Sequence, residues 1–404
     1  MTTTDPVRRT SALGHAPLSR RVLGPENGAV PFEHPFRAEF ASWLDCHAPT
    51  EPEPAHEDER FAHRRAWQAT MHAGGWAGLT WPAEYGGRGE GPLVQLMAYE
   101  ELALHRAPEP ANTPGMILLG PTLMLLGTDE LKERFLPRIL SGADLYCQGF
   151  SEPDSGSDLA SLRTRARRDR STGDWAIDGQ KIWTTFADRA DYCFVLARTD
   201  PDSRRHRGLT LLICPMDQPR VSVRPIRQIS GDREFSEVFF DDARVPAGWV
   251  VGEPGAGWHA AMTLFQFERG DPGYTDHARL LVELADIRTT LAAAALSPAA
   301  AADIRARATS LWLRCQELRA LNVRLAVLAE QGRPIAETGS VTNLVWGELA
   351  KDVADLNGDV ADLAGRDVAA AIHHRLACRA KSIYSGTTEI QRTIIAERLL
   401  GLPR

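Results

Sequence analysis

The chain has 404 residues and a net charge of -7, enough length for two or three domains with ample core and too acidic a balance for nucleic acid as the main partner, because phosphate backbones select basic surfaces. Cys46, Cys147, Cys193, Cys214, Cys315 and Cys378 are spread without a CxxC pair or metal-ligand spacing, so they read as small buried apolar residues in a reducing compartment, with no metal site. The longest apolar stretch, MILLGPTLMLLG at 116–127, is broken by Pro121 and too short to span a bilayer, which points to a cytoplasmic protein with a small-molecule partner and no membrane segment.

In chain order, residues 1–32 are rich in Thr, Ser, Arg and Pro and read as a flexible tail. Over 33–144 the apolar residues recur with helical period, as in HPFRAEFASWLDCHA and LVQLMAYEELALH, and predict an N-terminal helical domain. Over 145–255 the pattern changes to short β-rich runs such as DYCFVLART and GLTLLICPM, divided by Gly, Pro, Asp and Ser. Runs without intervening helices predict an antiparallel middle domain. From 256 to 404 the helical period returns, and the long amphipathic stretch at 303–331 suits a bundle whose faces are shared within or between chains. The fold class is α+β, multidomain and mostly helical.

Four stretches carry candidate chemistry. CQGFSEPDSGSDLASL at 147–162 sets Ser151, Ser155, Gly156 and Ser157 in a turn, where backbone can approach a phosphate or simply form a polar loop. In GQKIWTTFADRAD, Trp183 and Thr185 share one strand face, suited to backing and hydrogen-bonding a flat conjugated ring, or to core packing. In AAMTLFQFERG, Ala261, Leu264, Phe265 and Glu268 fall on one helical face. Glu268 is therefore a carboxylate among apolar residues, either ion-paired with an arginine such as Arg269 or a base whose pKa burial raises. Finally, in IYSGTTEIQ at 383–391, Gly386 permits an unusual backbone angle and Thr388 to Gln391 match a capping box, giving a helix start that could serve an anion or a carbonyl oxygen.

Six stretches in order, WPAEYGG at 81–87, GFSEPDSGSDLASLRTRA at 149–166, GQKIWTTFADRAD at 179–191, EFSEVFFDDARVP at 234–246, ERG at 268–270 and IYSGTTEIQRTIIAERLLGLPR at 383–404, make the chain resemble the acyl-CoA dehydrogenase family from about residue 35 onward. The resemblance implies a helical domain, a small β-domain and a C-terminal four-helix domain, assembled as a homo-tetramer or dimer, or as α2β2 with a related subunit. It also implies FAD, an acyl-CoA or acyl-carrier thioester substrate undergoing α,β-desaturation, and an electron-transfer flavoprotein as acceptor. Carried onto this chain, Gln148, Phe150 and Ser151 lie along the flavin, Ser157 reaches the cofactor or the pantetheine arm, Trp183 and Thr185 back the ring, Thr387 and Glu389 hold the cofactor's phosphate and adenosine end, and Arg269 borders the CoA arm.

The family places its catalytic glutamate either just before the Gly-Thr of the late turn, where this chain has Ser385, or just before the helix arginine, where it has Glu268. A serine hydroxyl cannot accept the α-proton unaided. Glu268 is therefore the expected base, as in the isovaleryl-, long-chain and bacterial steroid side-chain types. Ser385 is expected to give only its backbone N–H to the thioester oxygen, so that Ser385→Ala is nearly silent. Two family elements depart: the RxxFG stretch after ERG is absent, and the glycine-rich QxxGGxG becomes DLNGDVADLAGRD at 355–367. Alternatives are a flavin monooxygenase on the same fold and a partner subunit with an incomplete site.

Overall fold

The computed structural model describes residues 18–26, 28–271 and 276–403. Of the stretch read as a tail, residues 1–17 lie outside the described residues, whereas the chain from Leu18 is packed. The Leu18 N–H donates to Leu104 O at 2.9 Å, a 3-10 turn at Arg20–Leu23 buries Leu23 completely, and Arg20 reaches Glu101 at 2.7 Å. Three apolar residues in an Arg/Ser context carry no periodic signal, which is why composition alone points to a free tail.

The first domain holds α1 (Pro35–His47), α2 (Glu57–Ala73), α3 (Pro92–Leu104), α4 (Gly120–Leu126) and α5 (Asp129–Ser141). Their ends follow local chemistry: Pro35 opens α1 behind His34 as N-cap, and Thr128 caps α5, which stops at Gly142 with φ 71°. The apolar stretch at 116–127 forms the end of a π turn at Pro114–Leu119 running into α4. Phe36, Phe40, Trp67 and Trp76 fill the core beneath α1. Cys46 is exposed on α1, unlike the other five cysteines, which are buried as expected.

The middle domain is one sheet of β1 (Tyr146–Gly149), β2 (Arg165–Arg168), β3 (Trp175–Thr185), β4 (Tyr192–Arg198), β5 (Leu209–Pro215), β6 (Val221–Ile226), β7 (Phe235–Val245) and β8 (Val250–Val251). Its order is β6-β7-β3-β2-β4-β5-β8, with β1 on β4. Pairing is antiparallel except where β1 and the end of β2 run parallel to β4. The long β3–β7 ladder breaks twice, between Ile177 and Gly179 and between Lys181 and Thr184. A Cβ on Gly179 would come within 2.5 Å of Thr164, so the first break needs glycine.

The last domain comprises α6 (Gly257–Gly270), α7 (His277–Ala293), α8 (Pro298–Glu330), α9 (Ala336–Leu363), α10 (Ala369–Ala377) and α11 (Thr388–Ile394). Helices α7, α8 and α9 share a core of Leu281, Leu284, Ile287, Leu318, Leu349 and Val353, and α6 lies against α8, α9, β4 and β5. The first and last domains are joined through buried charge. Glu100 on α3 accepts from Arg319 at 2.8 Å, pairs with Arg37 and meets His277 at 3.2 Å.

Candidate active site

Glu268 sits in the last turn of α6, on the face that Ala261 and Leu264 bury completely, and is itself 9% exposed. Burial pushes its carboxyl above the ordinary range; the Ser385 side chain and the charge of Arg269 pull the other way. Arg269 acts through charge without a direct ion pair among the described residues. Of the two readings open in the sequence, the buried salt bridge with Arg269 is not formed among the described residues.

Ser385 lies in the turn that precedes α11. It has φ 58° and Gly386 φ 94°, two successive left-handed residues that reverse the chain ahead of α11. Gln391, fully buried, clamps this turn by donating Nε2 to Ser385 O at 2.9 Å and Gly386 O at 3.3 Å. The clamp fixes the backbone of Ser385, the part of the residue that the sequence reading assigns to the thioester oxygen. The capping box is also displaced by one residue. Thr387 is the N-cap, accepting from Ile390 N–H at 3.3 Å, while Thr388 donates to Ser382 O at 3.2 Å and Gln391 is taken up by the clamp.

The β-domain meets α6 through aromatic edges. Phe150 packs edge-on against Phe265 at 5.7 Å, and the Arg269 guanidinium lies 5.9 Å from the Phe265 ring. Beside Phe150, Ser151 O accepts from Ile182 N–H at 3.0 Å, which ties the 148–151 segment to β3. There the second ladder break places Trp183 at φ 59° and leaves it 57% exposed, edge-on to Phe235 at 6.3 Å, with Thr184 buried and Thr185 half-buried behind it. A core role for Trp183 is excluded. A bulge, rather than regular alternation, turns its ring outward.

Beneath this surface lies a pair that pattern reading misses. Lys181 and Glu152 bond at 2.9 Å with both side chains buried. Lys181 also donates to Phe150 O at 3.0 Å, while Glu152 accepts the N–H groups of Arg163 and Thr164 at 2.6 and 2.8 Å. Burial works against ionising Glu152, but Lys181 and these donors outweigh it and hold the carboxyl low. A lysine at an inward strand position is the one signal of it in the sequence.

The structure thus brings Phe150, Phe265 and Arg269 together beside Glu268 on α6, with Gln148, Ser151, Trp183 and Thr185 on the β-domain. Ser157 is exposed on the outer loop beside Gly156, around which space is open. Glu389 is exposed too, its carboxylate held low by its own backbone N–H and the Thr387 hydroxyl. An outward tryptophan ring, neighbouring hydroxyls and an open Ser/Gly loop fit a flat ring carrying a phosphorylated arm. No group of side chains suited to a metal ion, and no helix long and apolar enough to cross a membrane, occurs among the described residues.

Comparison with known proteins agrees with this arrangement. The N-terminal, middle and C-terminal domain models of acyl-CoA dehydrogenase match residues 33–143, 147–243 and 255–400. The chain belongs to the acyl-CoA dehydrogenase family, a class of FAD-dependent oxidoreductases. It is 43% identical to "Acyl-CoA dehydrogenase IpdE1" of Mycobacterium tuberculosis over 91% of this chain and 97% of that protein. Among solved structures it is similar to "Tcur3481-Tcur3483 steroid ACAD", with TM-score 0.79, 28% identity and coverage of 91% and 97%. It is also similar to the "ChsE4-ChsE5 complex from Mycobacterium tuberculosis", with TM-score 0.78, 30% identity and coverage of 91% and 97%.

Proposed function

We propose that this chain desaturates an acyl-CoA thioester between its α- and β-carbons, with Glu268 as the base that removes the α-proton. The observation that carries the reading is a buried carboxylate, raised in pKa by burial, on the helix that meets the β-domain through Phe265 and Phe150. A base poised above the ordinary carboxylate range is a better match for a weakly acidic C–H than an exposed glutamate. The Ser385 N–H donates to the thioester oxygen as enolate charge develops, which acidifies the α-carbon. Arg269 steadies the CoA arm, and Phe150 and Phe265 exclude water from the reacting carbons. FAD, when bound along Gln148, Phe150, Ser151, Trp183 and Thr185, with Ser157, Thr387 and Glu389 toward its phosphate and adenosine end, supplies the acceptor for the β-hydride. An electron-transfer flavoprotein then receives the electrons.

Likeness to a steroid acyl-CoA dehydrogenase supports a bulky polycyclic acyl group. A related but different subunit is the supported partner. In the 355–367 segment, which replaces the family's glycine-rich element, Asp355 binds Arg375 at 2.6 Å and also pairs with Arg379, and Asp359 binds Arg307 at 2.7 Å. Carboxylates locked there are a poor surface for a second copy's cofactor phosphates.

The reading is tested by mixing the flavin-loaded protein, alone and with a candidate partner subunit, anaerobically with straight-chain, branched and polycyclic acyl-CoAs. Bleaching of the oxidised flavin spectrum and an enoyl-CoA product are expected. Oxygen incorporation without enoyl product would replace the reading with a monooxygenase. No bleaching in any combination would leave a structural subunit.

A further inference from the structure

We propose that Asp232, in the turn between β6 and β7, is a positioning residue for the flavin: a carboxylate held by both the first and the last domain, it fixes the wall that carries Trp183. The inference rests on the reading of Trp183 as the ring that backs the flavin.

The three domains meet at this side chain. Asp232 Oδ1 accepts from Arg60 Nη2 on α2 at 3.1 Å, and Oδ2 lies 2.7 Å from His373 Nε2 on α10. Within the turn, the Ser230 hydroxyl donates to Oδ2 at 3.0 Å and the Gln228 N–H to Asp232 O at 2.9 Å, across Gly231 at φ 98°. Burial works against ionising Asp232, but Ser230, His373 and Arg60 outweigh it and hold the carboxyl low. A charged acceptor makes these hydrogen bonds stronger than neutral ones.

The turn passes straight into the wall. Glu234 O accepts the Phe186 N–H at 2.7 Å, and Phe235 opposes Thr185 in the β3–β7 ladder while its ring meets Trp183 edge-on. Trp183 and Phe186 are both left-handed, at φ 59° and 54°, conformations that persist in non-glycine residues where the surroundings over-determine them. One face of α2 supplies the constraint, because Glu57, Arg60 and Phe61 are three and four residues apart. Phe61 packs on Phe186 at 5.2 Å, Arg60 holds Asp232, and Glu57 accepts the Arg233 N–H at 3.3 Å. Both turns that bracket the Trp183 bulge are thus gripped by the first domain.

The last domain is tied to the same point by α10. His373 reaches Asp232, while the adjacent His374 pairs with Glu283 of α7 at 3.2 Å. From α10 the chain runs through residues 378–382 to the turn at Ser385. Asp232 therefore sets the domain that carries Ser385, Thr387 and Glu389 against the wall that carries Trp183, and the proposed flavin contacts draw on both.

The test reads flavin binding and hydrogen exchange. Asp232→Ala removes the shared carboxylate. His373→Ala removes only the link to α10 at a half-exposed side chain, and it decides the question alone if the first variant does not fold. Losing a hydrogen bond to a charged group, passed on in part to the cofactor, should weaken flavin binding about tenfold in Asp232→Ala. The fluorescence of the bound flavin, which an indole against the ring quenches, should rise, and exchange across 183–189 in the apoprotein should quicken. His373→Ala should move all three the same way by less. Wild-type flavin affinity and fluorescence in both variants, with or without faster exchange, would overturn the positioning role and leave Asp232 a structural latch. A shift confined to a folded Asp232→Ala would overturn the link to the last domain. Wild-type flavin affinity and fluorescence in Trp183→Ala would instead remove the underlying reading of Trp183.

Discussion

Lys181 and Glu152 illustrate how much of this site depends on groups that never touch substrate. Each is buried with a charge that only the other can neutralise, and together they hold Phe150 and the 152–164 loop against β3. Replacing Lys181 with Met strands the Glu152 carboxylate, and a cost of about 3–5 kcal/mol is expected in denaturant unfolding. Adding Glu152→Gln should recover part of that loss, because the buried charge is then gone. For Glu268 the same physics acts on rate. A carboxyl with raised pKa is an effective base only above that pKa, so flavin bleaching should fall as pH drops through a value above the usual glutamate range. The helical spacing of Ala261, Leu264, Phe265 and Glu268 makes the buried carboxylate legible in the sequence itself. The left-handed backbone of Ser385 is not legible there, because the Gln391 side chain that holds its carbonyl is spoken for in the sequence by an apparent capping box.

Among the elements, the β3 bulge and the start of α11 matter most. Regular alternation in GQKIWTTF does not say whether Trp183 faces core or solvent, and only the register break settles it. At α11 the sequence offers two adjacent threonines as caps. Gln391 decides between them, since its side chain is committed to the carbonyls of Ser385 and Gly386 and cannot close a box on Thr388. Thr387→Ala should therefore cost about 0.5–2 kcal/mol of local stability. Hydrogen exchange should show faster opening over 385–399, whereas Thr388→Ala should have a smaller effect there.

At the scale of the whole molecule, the order of helices, sheet and helices follows from periodicity and turn residues, and that part of the fold is plain in the sequence. The packing of residues 18–26 and 28–32 and the charge cluster joining the first and last domains are not, since both are long-range. Within that cluster, burial opposes ionisation of Glu100, but His277, Arg37 and Arg319 overcome it and hold the carboxyl at about 2. A depressed carboxylate contributes stability that is present above its unfolded value near 4.5 and is lost as pH falls toward the folded one. Acid unfolding between those limits should accordingly be less steep in Glu100→Gln, a variant expected to be less stable at neutral pH.

The central claim is that this fold places one glutamate to take the α-proton. Its most direct test is anaerobic stopped-flow bleaching of the flavin by an acyl-CoA that reduces the wild type, repeated with Glu268→Gln. The account predicts that the variant retains the flavin spectrum and binds the acyl-CoA but bleaches about 10²–10⁴-fold more slowly, the usual contribution of a general base. A flavin-loaded Glu268→Gln protein that bleaches as fast as the wild type would contradict it.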